Sequence, residues 1–241
     1  MTTTALLNTP NTIRDIFDSL SERYDIFNRL TSLGLDTIWR KKTLQMVRQG
    51  MRILDLGCGT GDLTLEAADK LKGRGEVIGL DFSSQMLLIA HRRAEKSKAA
   101  KDGVRIRFEM RRAEEIPFEK EPYDLVVSGF VLRNIRENIQ EILCGVHQSL
   151  KEGGQISFLD FTEPPGPILK KLWRWYMNTI AAFYGKMLFG ENFPARYMTD
   201  SAERFLKVPE FTAKLEQTGF CDIKTQKFMM GIIVLYQARK P

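Results

Sequence analysis

The feature that most constrains this chain is a glycine-rich segment at residues 51–62, MRILDLGCGTGD. An apolar run that ends in closely spaced glycines and continues into the helix-like LTLEAADKL predicts a buried strand, a tight turn and a helix. Glycine suits a backbone that takes a positive φ or lets a ligand approach closely. The helix, expected to begin near Asp62 or Leu63, would direct its free N–H groups at an anionic group in the turn.

The spacing of the glycines distinguishes two kinds of nucleotide site. A dinucleotide fingerprint has the pattern G-x-G-x-x-G, whereas residues 57–61 follow G-x-G-x-G. Asp55 precedes the first glycine, and D-x-G-x-G-x-G resembles the first motif of class I S-adenosylmethionine (SAM) methyltransferases. A second strand, residues 76–80, leads to Asp81, whose carboxylate can accept hydrogen bonds from both ribose hydroxyls. The sequence therefore predicts a SAM site and disfavours NAD-linked oxidoreduction.

Composition and charge narrow the class of protein. Of 241 residues, 43% are apolar and 27% charged, as in ordinary globular proteins, and the net charge is +6. Basic clusters can attract nucleic acid or an anionic membrane, but no base-reading motif accompanies them, so we expect no nucleic-acid partner. Three scattered cysteines predict neither disulfides nor a metal site. Without a bilayer-spanning run or a signal-peptide core, we expect a cytoplasmic protein.

Helices are predicted before the first strand, where apolar residues recur at three- and four-residue steps. The expected segments are a disordered start at residues 1–10, a helix at residues 13–30 capped by Asn11 or Thr12, and a second helix at residues 36–49. Such helices cannot belong to the sheet. We expect residues 12–49 to form a helical cap over the cofactor cleft or an apolar substrate.

Beyond the glycine turn, strands and helices alternate. The expected elements are strands at residues 104–110, 125–129, 155–161, 222–229 and 232–239, and helices at residues 84–97, 136–150 and 208–219, the second of them stopped by Gly153 and Gly154. This order predicts one α/β domain over residues 1–241, a doubly wound, mostly parallel seven-stranded sheet with a final hairpin. Ligands bind beyond the carboxyl ends of such strands, which places residues 112–114 and 128–134 at the same cleft.

Residues 164–200 interrupt the alternation, and they are too many for an ordinary connection. The segment is rich in aromatic residues and lysine. We predict a helical lid with an apolar inner face, composed of Leu172, Trp175, Ile180, Phe183, Tyr184 and Met187. The alternative is that this aromatic stripe is ordinary core packing.

Several stretches together resemble the ubiquinone/menaquinone C-methyltransferases, the UbiE/MenG type. They are FDSLSERYDIFNRLTSLGLDTIWRK from residue 17, LDLGCGTGDLT from residue 54, FVLRNI from residue 130, SLKEGGQISFLDFTEP from residue 149 and GIIVLYQARKP from residue 231. The resemblance spans residues 12–240. It implies the class I methyltransferase fold, SAM as cofactor, and methylation of a ring carbon of a polyprenyl quinol, most simply demethylmenaquinol to menaquinol.

The resemblance and the topology together assign the cofactor contacts. They are Asp55, Gly57, Gly59, Thr60, Gly61, Asp81, Phe82, Met86, Arg112, Ala113, Glu114, Ser128 and Gly129. The family usually has Asn or Asp at position 112, a small hydroxyl residue at position 129, and Gly where this chain has Val131. Because Arg112 cannot accept a hydrogen bond from the adenine amino group, we expect the backbone of Ala113 to make that contact.

Three residues are candidates for the chemistry. Arg133 would stabilise the oxyanion of the quinol or orient a water, the alternative being a salt bridge on the following helix. Asn134 would hydrogen-bond the other ring oxygen, or would cap the next helix. Tyr24, with Asp25 beside it, would contact the SAM carboxylate or relay a proton, or would only pack in the cap. No metal is required for this chemistry.

The two histidines and most basic side chains are expected outside the cleft. The residues expected on outward helix faces are His91, Arg92, Arg93 and His147. A lipophilic quinol implies peripheral contact with the inner face of the membrane, through an apolar entry formed by residues 13–30 and 168–188. The side chains expected to face lipid headgroups are Lys170, Lys171, Arg174 and Lys186.

Alternatives to the quinol methyltransferase remain open at the level of sequence. The departures at Arg112 and Val131 favour methylation of another small aromatic or lipophilic acceptor. A non-catalytic SAM-binding partner in a biosynthetic complex is the second alternative. The quinone ring, the prenyl tail length, the general base and the oligomeric state are not determined, and a homodimer is possible.

Overall fold

The computed structural model describes residues 10–116, 121–191, 193 and 195–241. Of the start expected to be disordered, residues 1–9 lie outside the described residues, whereas Pro10 belongs to a helix. The strands are β1 Arg52–Leu56, β2 Glu76–Asp81, β3 Arg105–Met110, β4 Tyr123–Gly129, β5 Leu150–Phe161, β6 Cys221–Phe228 and β7 Ile233–Arg239. The α-helices are α1 Pro10–Leu20, α2 Tyr24–Thr31, α3 Asp36–Thr43, α4 Asp62–Lys70, α5 Ser84–Lys96, α6 Lys98–Lys101, α7 Ile139–Ser149, α8 Pro167–Tyr176, α9 Ala182–Phe189, α10 Ala195–Arg204 and α11 Val208–Thr218.

The strands form one seven-stranded sheet in the order β3-β2-β1-β4-β5-β7-β6. β1 to β5 pair in parallel, whereas β7 runs antiparallel to both β5 and β6. This is the predicted doubly wound sheet, and the expected fold class is confirmed. The strand order reverses between β1 and β4, which is where such sheets bind ligands.

Both faces of the sheet are covered, because alternate residues of the central strands point to opposite sides. On one side the strands pack against α7 and α11, with Ile142 and Phe211 among the buried residues. On the other side they pack against α4, where Ala67 and Ala68 are fully buried. Continuous burial along β1 and β2 explains why their sequences are apolar without alternation.

The cap differs from the single long helix expected over residues 13–30. Its first helix begins at Pro10, ahead of the expected caps Asn11 and Thr12, and a 3-10 turn at Ser21–Arg23 separates α1 from α2. The hydroxyl of Ser21 donates to the carbonyl oxygen of Asp18 at 2.9 Å. Serine side chains that bond the local backbone in this way compete with the helical pattern.

The second cap helix is also shorter than expected, ending at Thr43 instead of residue 49. The Ser157 hydroxyl on β5 donates to the Thr43 carbonyl oxygen at 2.8 Å, which satisfies a carbonyl of the last turn. The next residue, Leu44, is fully buried beside the sheet. The end of α3 is therefore fixed by contacts with β5, which are distant in sequence.

Gly153 and Gly154 do not stop a helix, as the sequence suggested, but lie inside β5. Gly153 has a φ of +73°, and its N–H donates to the carbonyl oxygen of Lys240 at 3.1 Å. The Lys240 N–H donates in turn to the Gly154 carbonyl oxygen at 2.8 Å. Pairing with the C-terminal residues extends the strand through the glycines, so α7 ends at Ser149.

The lid is helical as predicted, but its apolar stripe faces outward. Trp173, Met177 and Ala181 are buried against Ile232 at the end of the hairpin. This contact turns the opposite side of the helices to solvent. We call this side the lid stripe; it comprises Ile168, Leu172, Trp175, Ile180, Phe183 and Met187, each 36–85% exposed. Only Tyr184 of the expected inner face is packed inward.

Candidate active site

A cavity of about 540 Å³ lies at the carboxyl ends of β1, β2 and β4, where the strand order reverses. The predicted site residues along its wall are Tyr24, Asp55, Gly57, Gly59, Thr60, Asp81, Phe82, Met86, Arg112, Ala113, Glu114, Gly129, Arg133 and Asn134. Two predicted contacts do not line it. Gly61 lies behind the turn at the start of α4, and the hydroxyl of Ser128 donates to the carbonyl oxygen of Leu56 at 2.7 Å.

The glycine turn has the backbone that its sequence requires. Gly57, Gly59 and Gly61 have φ values of +72°, +54° and +86°, a region that side chains other than glycine rarely adopt. A Cβ on Gly57 would stand 2.4 Å from Cγ2 of Val131. Val131, which departs from the family pattern, therefore packs directly against the turn. A larger residue at position 57 or at position 131 would therefore collide with the residue at the other position.

Asp55 supplies a buried acceptor to the cavity. Its Oδ2 accepts a hydrogen bond from the Thr64 hydroxyl at 2.5 Å, while its buried Oδ1 has no hydrogen-bond partner. Burial raises the pKa of Asp55 to about 7, although Thr64 and Arg40 act in the opposite direction. A buried carboxylate oxygen without a donor is suited to an ammonium group, which would supply one.

Asp81 is fixed by the backbone at the end of β2. Its Oδ2 accepts from the Gly59 N–H at 2.8 Å, and its Oδ1 accepts from the Ser83 N–H at 2.9 Å. Each oxygen has a second lone pair that can accept from a ribose hydroxyl. Burial raises the pKa of Asp81, and these backbone hydrogen bonds lower it. Phe82 and Met86 line the cavity next to it and provide apolar surface for a base.

Arg112, which departs from the family pattern, lies on the cavity wall with its side chain exposed to solvent. Its backbone N–H donates to the Glu115 carboxylate at 3.3 Å. Glu114 accepts a hydrogen bond from the Asn138 side chain at 2.7 Å. Ala113 is half-buried on the cavity wall, which is compatible with the expected backbone contact.

An ion-pair network ties the cap to the glycine turn. Asp25 accepts from the Thr60 hydroxyl at 2.7 Å and pairs with Arg93 at 2.8 Å. Asp62 pairs with both Arg93 and, at 2.9 Å, with Arg40 of the cap. Burial raises the pKa of Asp25, as does the nearby Asp62, while Thr60 and Arg93 lower it. The expected outward orientation of Arg93 is therefore wrong, because two carboxylates draw its guanidinium towards the cleft.

Arg133 lies at the other end of the cavity, and its charge is held by a residue on β5. Its Nη1 pairs with Asp160 Oδ1 at 2.9 Å and donates to the Phe130 carbonyl oxygen at 2.7 Å. Arg133 therefore forms its salt bridge with a strand residue, and not with the following helix, which was the alternative. Burial lowers the pKa of Arg133, but Asp160 and the phenols of Tyr24 and Tyr197 raise it above its ordinary value. Arg133 thus carries a fixed positive charge.

Asn134 does not cap the next helix. Its side-chain Oδ1 accepts a hydrogen bond from the hydroxyl of Tyr197 on α10 at 2.9 Å. Tyr24 lines the cavity as predicted, and burial raises its pKa even though Arg133 lowers it. Tyr24 of the cap and Tyr197 of the lid therefore line the same cavity as Arg133 and Asn134.

The sequence missed Asp160, Tyr197 and Arg40 as parts of the site. Asp160 was embedded in an apolar strand, LDF, and a carboxylate there is a usable signal because buried charges need partners. Asp36 and Arg40, four residues apart on α3, are a visible helical pair. Nothing in the pattern around Tyr197 marks it, since it reaches Asn134 across 63 residues.

The polar groups of the cavity fit a SAM molecule. An unpartnered buried carboxylate suits its ammonium group, a backbone-fixed Asp81 suits its ribose, and an apolar wall suits its base. Within the part of the chain that the structure describes, no cluster of three or more His, Cys, Asp or Glu side chains is arranged to hold a metal ion.

The fold and the cavity define a class I SAM-dependent methyltransferase. A SAM-dependent methyltransferase from Mesorhizobium loti is 19% identical, with a TM-score of 0.60 over 86% of this chain and 97% of that chain. A Haemonchus contortus phosphoethanolamine N-methyltransferase 2 in complex with SAM has a TM-score of 0.61 at 16% identity, over 100% of this chain and 60% of that one. At these identities the likeness concerns the fold.

Sequence relatives define the family. Residues 6–240 match the ubiE/COQ5 methyltransferase family, and the chain belongs to it. A demethylmenaquinone methyltransferase from Lactiplantibacillus plantarum is 31% identical over 91% of this chain and 92% of its own length. A ubiquinone/menaquinone biosynthesis C-methyltransferase UbiE from Geobacter sp. strain M21 is 32% identical over 95% and 96%. The predicted family and the SAM cofactor are confirmed.

Proposed function

We propose that this enzyme methylates a ring carbon of a polyprenyl quinol, converting demethylmenaquinol to menaquinol. The observation that carries the proposal is that the buried cation Arg133 and the amide of Asn134 share one cavity with the SAM turn. A phenol that loses its proton next to a fixed cation gains nucleophilic character at the neighbouring ring carbon. Relatives of similar length carry the names of enzymes for this reaction.

The reaction transfers one methyl group to a ring carbon in place of one hydrogen. When bound, SAM would supply the electrophilic methyl group of its sulfonium and would leave as S-adenosylhomocysteine. A quinol hydroxyl gives up its proton, the ring carbon forms a bond to the methyl carbon, and the electron pair of the broken C–S bond stays on sulfur. The methylated ring carbon then loses its hydrogen as a proton, which restores the aromatic ring as a phenolate. The oxygen that lost its proton in the first step then regains a proton from water. The net result is one proton released per turnover.

The residues of the chain contribute binding, positioning and charge. Arg133 stabilises the phenolate oxygen, and Asn134 binds the ring near it. Tyr24 lies on the cap side of the same space and contacts the SAM carboxylate or passes a proton to water. Holding the sulfur, the methyl group and the ring carbon in line can supply about 7–11 kcal/mol at best.

We further propose that the protein works at the inner face of a membrane, with its lid stripe in contact with lipid. Within the described ranges no helix has both the length and the apolar character to cross a bilayer. Six large apolar side chains exposed on one segment are the kind of surface that marks an interaction site.

Three of the four basic side chains that were expected to face lipid headgroups form ion pairs within the protein. Lys170 pairs with Glu163 at 2.5 Å, Arg174 pairs with Glu203, and Lys186 pairs with Glu191 at 2.7 Å. Their charges are therefore partly neutralised on the protein itself. Apolar burial is consequently proposed as the main source of membrane affinity, with the exposed Lys171 as an added cation.

The test is methyl transfer from isotopically labelled SAM to a chemically reduced short-chain demethylmenaquinol, followed by mass spectrometry. Wild type should give a methylated quinol, and Arg133→Ala should lose it while SAM binding, measured by calorimetry, persists. No product from a wild-type protein that binds SAM would reject the quinol. Activity would then be sought with other lipophilic phenols, the acceptor class that the departures at Arg112 and Val131 favour.

A further inference from the structure

Tyr197 brings the lid into the polar end of the cavity. It is carried on α10, is only 5% exposed, and lines the cavity together with Ser201, which lies one helical turn further on. Its hydroxyl donates to Asn134 Oδ1 at 2.9 Å. Tyr197 thus links Asn134, the proposed ring-binding residue, to the lid, which also carries the lid stripe.

The Tyr197 hydroxyl occupies the oxygen end of the Asn134 amide. A primary amide is planar, and its acceptor oxygen and donor NH₂ group point in different directions within that plane. With Oδ1 occupied by Tyr197, Nδ2 is the free end, and it has no hydrogen-bond partner within the described part of the chain. Asn134 therefore presents donors, not an acceptor, to whatever ring oxygen enters.

Donors are what the reaction needs at this point. The neighbouring cation is Arg133, held by Asp160, so the polar end of the cavity already favours an oxygen that carries negative charge. An amide oxygen turned to the same space would repel a phenolate, whereas an amide N–H stabilises it. A hydrogen bond to a charged oxygen is about twice as strong as one to a neutral oxygen.

We propose that Tyr197 is a positioning residue for methyl transfer, which acts by fixing Asn134 as a donor to the quinol oxygen. This inference rests on the proposed function, because it needs a quinol oxygen in the cavity.

The test is a double-mutant cycle on quinol turnover with Tyr197→Phe, Asn134→Ala and the double variant. Tyr197→Phe should lower kcat/KM by roughly three- to tenfold, the value of one hydrogen bond, and should cause no further loss in the Asn134→Ala background. Equal losses in both backgrounds would overturn the proposal, because Tyr197 would then act independently of Asn134. The dissociation constant for SAM should be unchanged throughout.

Two further variants separate positioning from simple loss of structure. Tyr176→Phe removes another lid phenol, which donates to the Thr31 carbonyl oxygen at 3.0 Å outside the cavity, and should leave kcat/KM within twofold of wild type. Asn134→Asp keeps an acceptor for Tyr197 but removes the donor, and should lose at least as much activity as Asn134→Ala. Full activity in Asn134→Asp would overturn the proposal even if Tyr197→Phe does not fold. Inactive wild type would instead reject the proposed function itself.

Discussion

Asp160 holds Arg133 at two points, the side chain and the backbone. Its Oδ1 accepts from the guanidinium at 2.9 Å, and its Oδ2 accepts from the Arg133 N–H at 3.1 Å. Asp160 is fully buried and Arg133 is 7% exposed. Because both contacts come from β5, the central sheet fixes the position of the positive charge in the cavity.

Removing the negative charge of that pair should damage both stability and activity. Breaking a buried ion pair on one side costs about 3–5 kcal/mol, because the remaining charge is left without compensation. Asp160→Asn should therefore lower the free energy of unfolding by an amount of this size in denaturant titrations. Quinol turnover should fall at least tenfold, since Arg133 can then adopt other orientations. A variant with wild-type stability would show that the pair is not buried in solution.

The pKa of Asp55 predicts a pH dependence of stability. Its folded-state pKa is about 7 and its ordinary value is 3.8, so between these pH values the folded state binds the proton more tightly. The stabilising effect is complete below pH 4 and is lost as the pH rises through 7. Between pH 5 and pH 8 the free energy of unfolding of wild type should fall by about 2–3 kcal/mol more than that of Asp55→Asn.

Saturating S-adenosylhomocysteine provides the control for this titration. Its ammonium group should pair with the ionised carboxylate of Asp55 and so remove most of the difference between wild type and Asp55→Asn. Calorimetric affinity for the ligand should rise from pH 6 to pH 7.5 in wild type and stay flat in the variant. Equal slopes in the two proteins would contradict the assignment of Asp55 to the cofactor.

The close packing of Gly57 and Val131 predicts a steric effect that can be relieved. Gly57→Ala should lower SAM affinity at least tenfold, because its Cβ would overlap the valine side chain at 2.4 Å. Gly57→Ala combined with Val131→Gly should recover part of that loss. The matched control is Gly50→Ala, because Gly50 also has a positive φ, +85°, but no atom lies within 4 Å of the added Cβ. No difference between Gly57→Ala and Gly50→Ala would refute the packing argument.

The outward lid stripe predicts that membrane association depends on Trp175 and Phe183. Changing both to serine should reduce sedimentation with phosphatidylglycerol-containing vesicles several-fold and lower turnover of a long-chain quinol, while SAM binding is kept. Leu88→Ser is a suitable control, because Leu88 is 46% exposed but lies on α5. Unchanged vesicle binding and turnover in the double variant would show that the lid stripe does not meet lipid.

Local signals predicted the fold and the SAM turn, because both depend on residues close in sequence. Hydrophobic runs located the strands to within a few residues, and the glycine spacing located the turn that the structure contains at residues 57–61. The errors occurred where contacts between residues distant in sequence determine a helix end or the direction of a side chain. Helix α3 ends at Thr43, whose carbonyl oxygen accepts a hydrogen bond from Ser157. Arg93 points towards the cleft because it forms ion pairs with Asp25 and Asp62.

The lid shows the same limit for the direction of a helix face. The spacing of apolar residues in the lid sequence indicated a helix with an apolar stripe. That spacing does not determine whether the stripe faces the core or an external partner. The contact of Trp173 and Met177 with Ile232 decides the orientation, and Ile232 belongs to a hairpin more than fifty residues later. Tyr197 was missed for the same reason.

The most direct test of the central claim is the position of the transferred methyl group. Wild-type protein is incubated with trideuteromethyl SAM and either reduced or oxidised short-chain demethylmenaquinone, and the product is analysed by tandem mass spectrometry. The account predicts a label on a ring carbon, formed from the reduced quinol alone and lost in Arg133→Ala. A label on an oxygen, or equal product from the oxidised quinone, would contradict carbon methylation of an activated quinol.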